Sequence, residues 1–384
     1  MTGTTAKRCA GSCFTLFPLA LQLLSQRIPA LDGLRGVAII FVMIYHCVYY
    51  LGQKLQIWNR LASITESMQN GVDLFFVISG FLITSRLLET QGSAYYFRGF
   101  YWRRFLRIIP PYLAFVGLVF LLQPVPLSTN GLPWYLLFSA NLLNFFAGNQ
   151  APIVAILWSV SLEEQFYLLW PVVVRRITRK AISLVLIGLL CLQPVLRALM
   201  PEQMYMNPLT HLDGLLYGAL IAASLPWLRR ILQDRQLLLP ASVLLASGYL
   251  VARALIQDLR WWSDNPLALY FDFSVASACY AIFLVSLVLS DSWLANIMRL
   301  RVLRSFGKYS YTLYLYHMFW LTLWMQLVVA PAPSTELWNS ISVLLQTVAI
   351  FSISWCFAYI SWKYFEMPLL RLKDRVSYSA SLAS

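Results

Sequence analysis

Arg35 and His46 stand eleven residues apart in the apolar stretch 34–51, which carries no other charged side chain. On a helix that interval is close to three full turns, placing both side chains on one flank about 16 Å apart along the axis. A guanidinium near one membrane face and an imidazole deeper in hydrocarbon are costly to keep. An imidazole titrating near neutrality can take a proton from a hydroxyl. The spacing is comparable to a stretched pantetheine arm, so an acyl-thioester donor could rest its phosphates by Arg35 and its carbonyl by His46. The competing reading is a structural histidine bonded to a carbonyl, with Arg35 snorkelling to the interface.

Other intramembrane groups point the same way. Asp73, in the first turn of the stretch 71–88, could orient a catalytic imidazole or bind acceptor hydroxyls; a helix-start carboxylate favoured by the macrodipole explains it equally. Gly80, seven residues on, would admit a close neighbour. Arg104 and Arg107 form one guanidinium edge if helical, suited to phosphate oxygens, or a topology-setting basic loop. Glu163 and its neighbour Glu164 project about 100° apart on a helix, so both cannot face lipid harmlessly. Glu163 shares a face with Ser159 and Tyr167 and could pair with Arg35 or another buried cation. His211, Asp213, Asp272 and His317 are further polar groups in apolar surroundings, and Glu366 is expected in a boundary salt bridge.

These residues need a scaffold, and composition says which. Hydrophobic residues are 59% of the 384 and charged ones only 12%, about half the charge of a soluble chain. Mean hydropathy is +0.66. Apolar stretches at 34–51, 71–88, 108–123, 154–174, 181–199, 209–225, 237–256, 267–290, 310–330 and 338–361 predict an all-α polytopic membrane bundle of about ten spans. A shorter piece, 132–147, is broken by Asn141 and Asn144 and reads as re-entrant or interfacial.

Net charge is +13, which could suggest nucleic acid, but its distribution argues for topology instead. The termini and even-numbered loops hold 23 of the 29 Lys and Arg; the odd-numbered loops, counting Arg197 among them, hold 5. That alternation predicts cytoplasmic N- and C-termini and a lipid bilayer rather than nucleic acid as partner. Six scattered cysteines suggest neither a metal site nor a disulfide framework. Residues 1–27 read as a poorly ordered or interfacial extension, 28–373 as one membrane domain, and 374–384 as a cytoplasmic tail without an appended soluble domain.

In order along the chain, Ala30–Gly36 with His46, Gly71–Phe81, Arg104–Tyr112, Trp158–Tyr167, Leu212–Gly218, Tyr309–His317 and Glu366–Pro368 resemble the acyltransferase-3 family of integral membrane O-acyltransferases. The resemblance implies transfer of an acyl group, often acetyl, from cytoplasmic acyl-CoA to a hydroxyl of a glycan or related acceptor, without a metal, in the bacterial inner membrane. It implies a catalytic His46 supported by Arg35, donor handling by Arg104 and Arg107, and a functional Glu163. A glycan-assembly or esterase-like protein is an expected partner. His211 departs from the arginine usual at its position. A proton-coupled transporter or exporter is the competing class, since buried His, Glu and Asp suit both.

Overall fold

With no water in the bilayer to satisfy backbone groups, long apolar segments resolve as helices. The computed structural model describes residues 28–53, 65, 67–122, 131–147, 150–232, 238–257, 265–290, 292–328 and 335–372, and every regular element among them is helical. The expected extension 1–27 and tail 374–384 lie outside the described residues.

The long helices are α1 (Pro29–Gln53), α2 (Gly71–Thr90), α3 (Tyr96–Leu122), α4 (Leu157–Arg176), α5 (Arg179–Leu199) and α6 (Asp213–Leu232). There follow α7 (Leu238–Gln257), α8 (Pro266–Leu289), a short basic α9 (Arg301–Lys308), α10 (Ser310–Leu327) and α11 (Glu336–Ser361). A helix lies on each of the ten apolar stretches. Among the described residues, eight are long and apolar enough to cross a membrane; α10 is not one of them. Its average is lowered by Ser310, Thr312, Tyr314, Tyr316 and His317, all buried inside the bundle. The chain is a multi-pass membrane protein.

One boundary differs from the sequence reading. The basic stretch expected as a loop before residue 108 is the first half of α3, continuous through Pro110 and Pro111. Prolines there leave the Leu106 and Arg107 carbonyls without their helical donors. The basic half is held from outside: Tyr96 donates to Pro171 O (3.0 Å), Tyr101 to Leu168 O (2.9 Å), and Trp102 Nε1 to Leu372 O (3.2 Å).

Two backbone-to-backbone contacts fix the bundle. A Cβ on Gly80 would stand 2.1 Å from Leu215 O, and one on Gly218 2.1 Å from Val77 O, so α2 and α6 touch main chain to main chain. A Cβ on Gly307 would stand 1.6 Å from Asp32 O, and one on Gly36 2.0 Å from Leu303 O. That pins α9 against the start of α1.

The segment 132–147 is two short helices, Leu132–Leu136 and Ala140–Ala147, separated at Phe138 with φ 52°. Asn141 exchanges two amide hydrogen bonds with Gln165 of α4, at 3.1 and 3.0 Å, which explains a polar residue in an apolar run.

Candidate active site

Helix α1 carries both ends of the site, and its neighbours differ along its length. At its first half, Arg35 meets Arg104 and Arg107 of α3 and Glu163 and Tyr167 of α4 around a narrow cavity of about 60 Å³. The three guanidiniums are close enough to repel one another. Glu163 accepts a hydrogen bond from the Tyr167 hydroxyl, and Arg104 lies over the Tyr167 ring at 4.7 Å. Arg35 and Glu163 face this cavity together, and Arg35 Nε is buried without a hydrogen-bond partner. Three cations against Glu163 leave this chamber electropositive. Its donors suit phosphate oxygens better than a neutral guest. Glu164 points elsewhere, one buried carboxylate oxygen unpartnered.

Along its second half α1 meets α10. His46 Nδ1 lies 2.9 Å from Val42 O and 3.1 Å from His317 Nε2. His317 Nδ1 lies 2.7 Å from Tyr314 O and 3.2 Å from Leu313 O. Carbonyls only accept, so His317 Nδ1 carries its proton, and in the neutral ring Nε2 is then an acceptor. The shared proton belongs to His46 Nδ1, divided between Val42 O and His317. Among the described residues none hydrogen-bonds His46 Nε2, which is left with its lone pair. An imidazole so fixed is a base by geometry.

The cavity does not extend to His46. Its lining reaches Phe75 and Tyr314. The Tyr314 ring centre is 5.8 Å from that of His317, and its hydroxyl is tied to Ser159 Oγ (2.6 Å) and Ile156 O (3.0 Å). Arg35 and His46 therefore bracket Tyr314 rather than share one open tunnel.

Asp73 orients an imidazole, but that of His211. Asp73 Oδ1 is 2.8 Å from His211 Nε2, and His211 Nδ1 donates to Tyr205 O at 2.6 Å. Phe76, Trp158, Tyr205 and Phe273 enclose the pair. Beside it, Arg197 grips Asp213 with both terminal nitrogens (2.7 and 3.3 Å) and also holds Thr210 O, Tyr270 O and Ser274. Counted by sequence with an outer loop, Arg197 is instead fully buried. Glu366 is likewise held by the hydroxyls of Thr312 and Ser361 rather than by a salt bridge. No group of three or more His, Cys, Asp or Glu among the described residues could hold a metal ion.

His317 and Tyr314 are the site residues that sequence reasoning underweighted. Their only signal was a polar face on an apolar helix; their partners lie far away in the chain.

A bundle with charged and imidazole groups turned inward defines a membrane enzyme or carrier, and comparison decides the family. Residues 28–363 match the acyltransferase-3 model, described as an acyltransferase domain, and the chain belongs to that family. It is similar to the peptidoglycan O-acetyltransferase OatA of Listeria monocytogenes, 27% identical over 373 residues, covering 89% of this chain and 56% of that protein. It is also similar to the O-acetyltransferase OatA of Staphylococcus aureus, 27% identical over 328 residues, covering 76% and 50%. The chain spans about half the length of the curated relatives it matches. No solved structure matches it.

Proposed function

We propose that this chain is an O-acetyltransferase of the bacterial inner membrane, with both termini cytoplasmic across ten spans. It takes acetyl from acetyl-CoA and passes it to a hydroxyl of a cell-surface or exported glycan. The observation that carries this reading is the free Nε2 lone pair of His46 above an electropositive chamber. The relatives' names, peptidoglycan O-acetyltransferase and O-acetyltransferase, support the acyl group and the acceptor class.

In this scheme the donor's pyrophosphate lies against Arg35, Arg104 and Arg107, and its thioester arm extends along α1. The arm meets Tyr314, whose ring swings aside to admit it. His46 Nε2 takes the acceptor hydroxyl's proton while that oxygen attacks the thioester carbonyl, giving a tetrahedral oxyanion. Collapse breaks the carbon–sulfur bond, and the departing thiolate recovers the proton from His46. An acyl-histidine intermediate is the variant within the same chemistry; release of CoA in a burst without acceptor would support it. Asp73 stabilises the architecture through His211 and takes no direct part. A glycan-assembly or esterase-like protein would act beside it as partner.

Purified protein in vesicles, given acetyl-labelled CoA and glycan acceptor, is expected to form labelled ester. His46→Ala should lower the rate about 10²- to 10⁴-fold, the range of a positioned base. Movement of label across the membrane with no ester formed would establish a carrier instead.

A further inference from the structure

A second electropositive cavity lies beside the start of α1. It measures about 320 Å³ and is lined by Asp32, Arg301, Arg304, Ser305, Lys308 and Tyr309. Arg301, Arg304 and Lys308 fall at helical spacings of three and four on α9, so they form one face. That face is held rigidly, because Gly307 and Gly36 bring the α9 and α1 backbones into direct contact. Arg304 Nε is buried and has no hydrogen-bond partner. Lys308 Nζ sits over the Tyr309 and Trp362 rings, at 5.1 and 5.3 Å from their centres. Three cations converge on a concavity that holds one carboxylate, Asp32. An arginine serving only bilayer topology has no reason to shelter its Nε beneath such a rim.

Some lining residues of the two cavities neighbour one another along the chain. Asp32 precedes Arg35 by one turn of α1, while Lys308 and Tyr309 run directly into Ser310 and Tyr311, which line the inner chamber. A ligand with phosphates on Arg35, Arg104 and Arg107 would carry any further phosphate on its nucleotide end toward α9.

We infer that the Arg301–Arg304–Lys308 face binds the 3′-phosphate of the donor's nucleotide, so that this chain recognises acyl-CoA at two separate anionic points. The assignment rests on the donor proposed above.

Acetyl-CoA and acetyl-dephospho-CoA, which differ only in that phosphate, test it in neutral-lipid nanodiscs. Wild-type KM is expected to be about tenfold lower for acetyl-CoA, as one charge-assisted contact predicts. Arg301→Gln and Arg304→Gln should each raise the acetyl-CoA KM toward the dephospho value and move the dephospho KM little. Adenosine 3′,5′-bisphosphate should inhibit wild-type protein more strongly than 5′-AMP, a measurement that needs no variant. Equal KM for the two donors, or a parallel rise for both in the variants, overturns the site. An effect seen only with anionic lipid present overturns it too, and assigns the face to headgroups. If wild-type protein uses neither donor, the donor reading itself fails and takes the site with it.

Discussion

A histidine whose Nδ1 proton is divided between a carbonyl and a second imidazole can react only through its other nitrogen, and His317 puts His46 in that position. His317→Phe removes one of the two acceptors of the His46 Nδ1 proton, leaving Val42 O alone to hold the ring. It is expected to lower kcat about 10²-fold with KM nearly unchanged, whereas His317→Gln, which can place an amide oxygen there, should recover most of the rate. The chain has three histidines, so ¹⁵N-histidine spectra of wild-type and variant proteins can read the tautomer directly. Retained kcat in His317→Phe would show the contact to be packing alone. Arg197 makes the opposite kind of pair, closed and fully satisfied. Arg197→Met leaves Asp213 buried without its cation, which should cost about 3–5 kcal/mol, measurable as a lower Tm. Intramembrane charge is legible in a sequence because it is expensive; its partners are not. Arg35, His46, Arg104 and Glu163 stand out in the sequence for that reason. The His46–His317 contact joins residues 271 apart, and Asp73 chooses His211 over His46 only once the helices pack.

At the scale of elements, glycine contacts position the chemistry. Helices α2 and α6 lie so close at Gly80 and Gly218 that a side chain on either meets carbonyl oxygen. Gly218→Val must part the two helices and is expected to lose about 1–3 kcal/mol or more. The measurement is thermal unfolding in detergent, and an unchanged Tm would deny that the contact is tight. The α3 boundary was not legible for a related reason. Basic and aromatic residues before a Pro-Pro pair read as a loop, but hydrogen bonds from Tyr96, Tyr101 and Trp102 to distant carbonyls hold them helical. Conversely, α10 is recognisable as a helix of the bundle although its tyrosines and histidine depress its hydropathy, because Tyr314, Tyr316 and His317 face inward.

Over the whole molecule, the alternation of basic and charge-poor loops predicts that α9 and the basic half of α3 lie on the cytoplasmic side. That is the side from which the proposed CoA donor would come. Single cysteines introduced at Arg176 and Arg299 in a background lacking the native ones should react with membrane-impermeant maleimide only after the cell is opened. Labelling of either in intact spheroplasts would reverse the orientation and separate the arginine chambers from the donor. The all-helical, multi-pass outline was legible because length and apolarity suffice for it, with eight helices among the described residues meeting both. The two chambers were not, since they form only where α1, α2, α3, α4, α9 and α10 meet.

The most direct test separates donor binding from turnover in His46→Ala. Equilibrium binding of acetyl-CoA and initial rate of glycan ester formation are measured on the same reconstituted sample. Binding within about twofold of wild type, with the rate reduced about 10²-fold or more, is the expected result. A rate that survives the loss of the imidazole would contradict the assignment of His46 as the base.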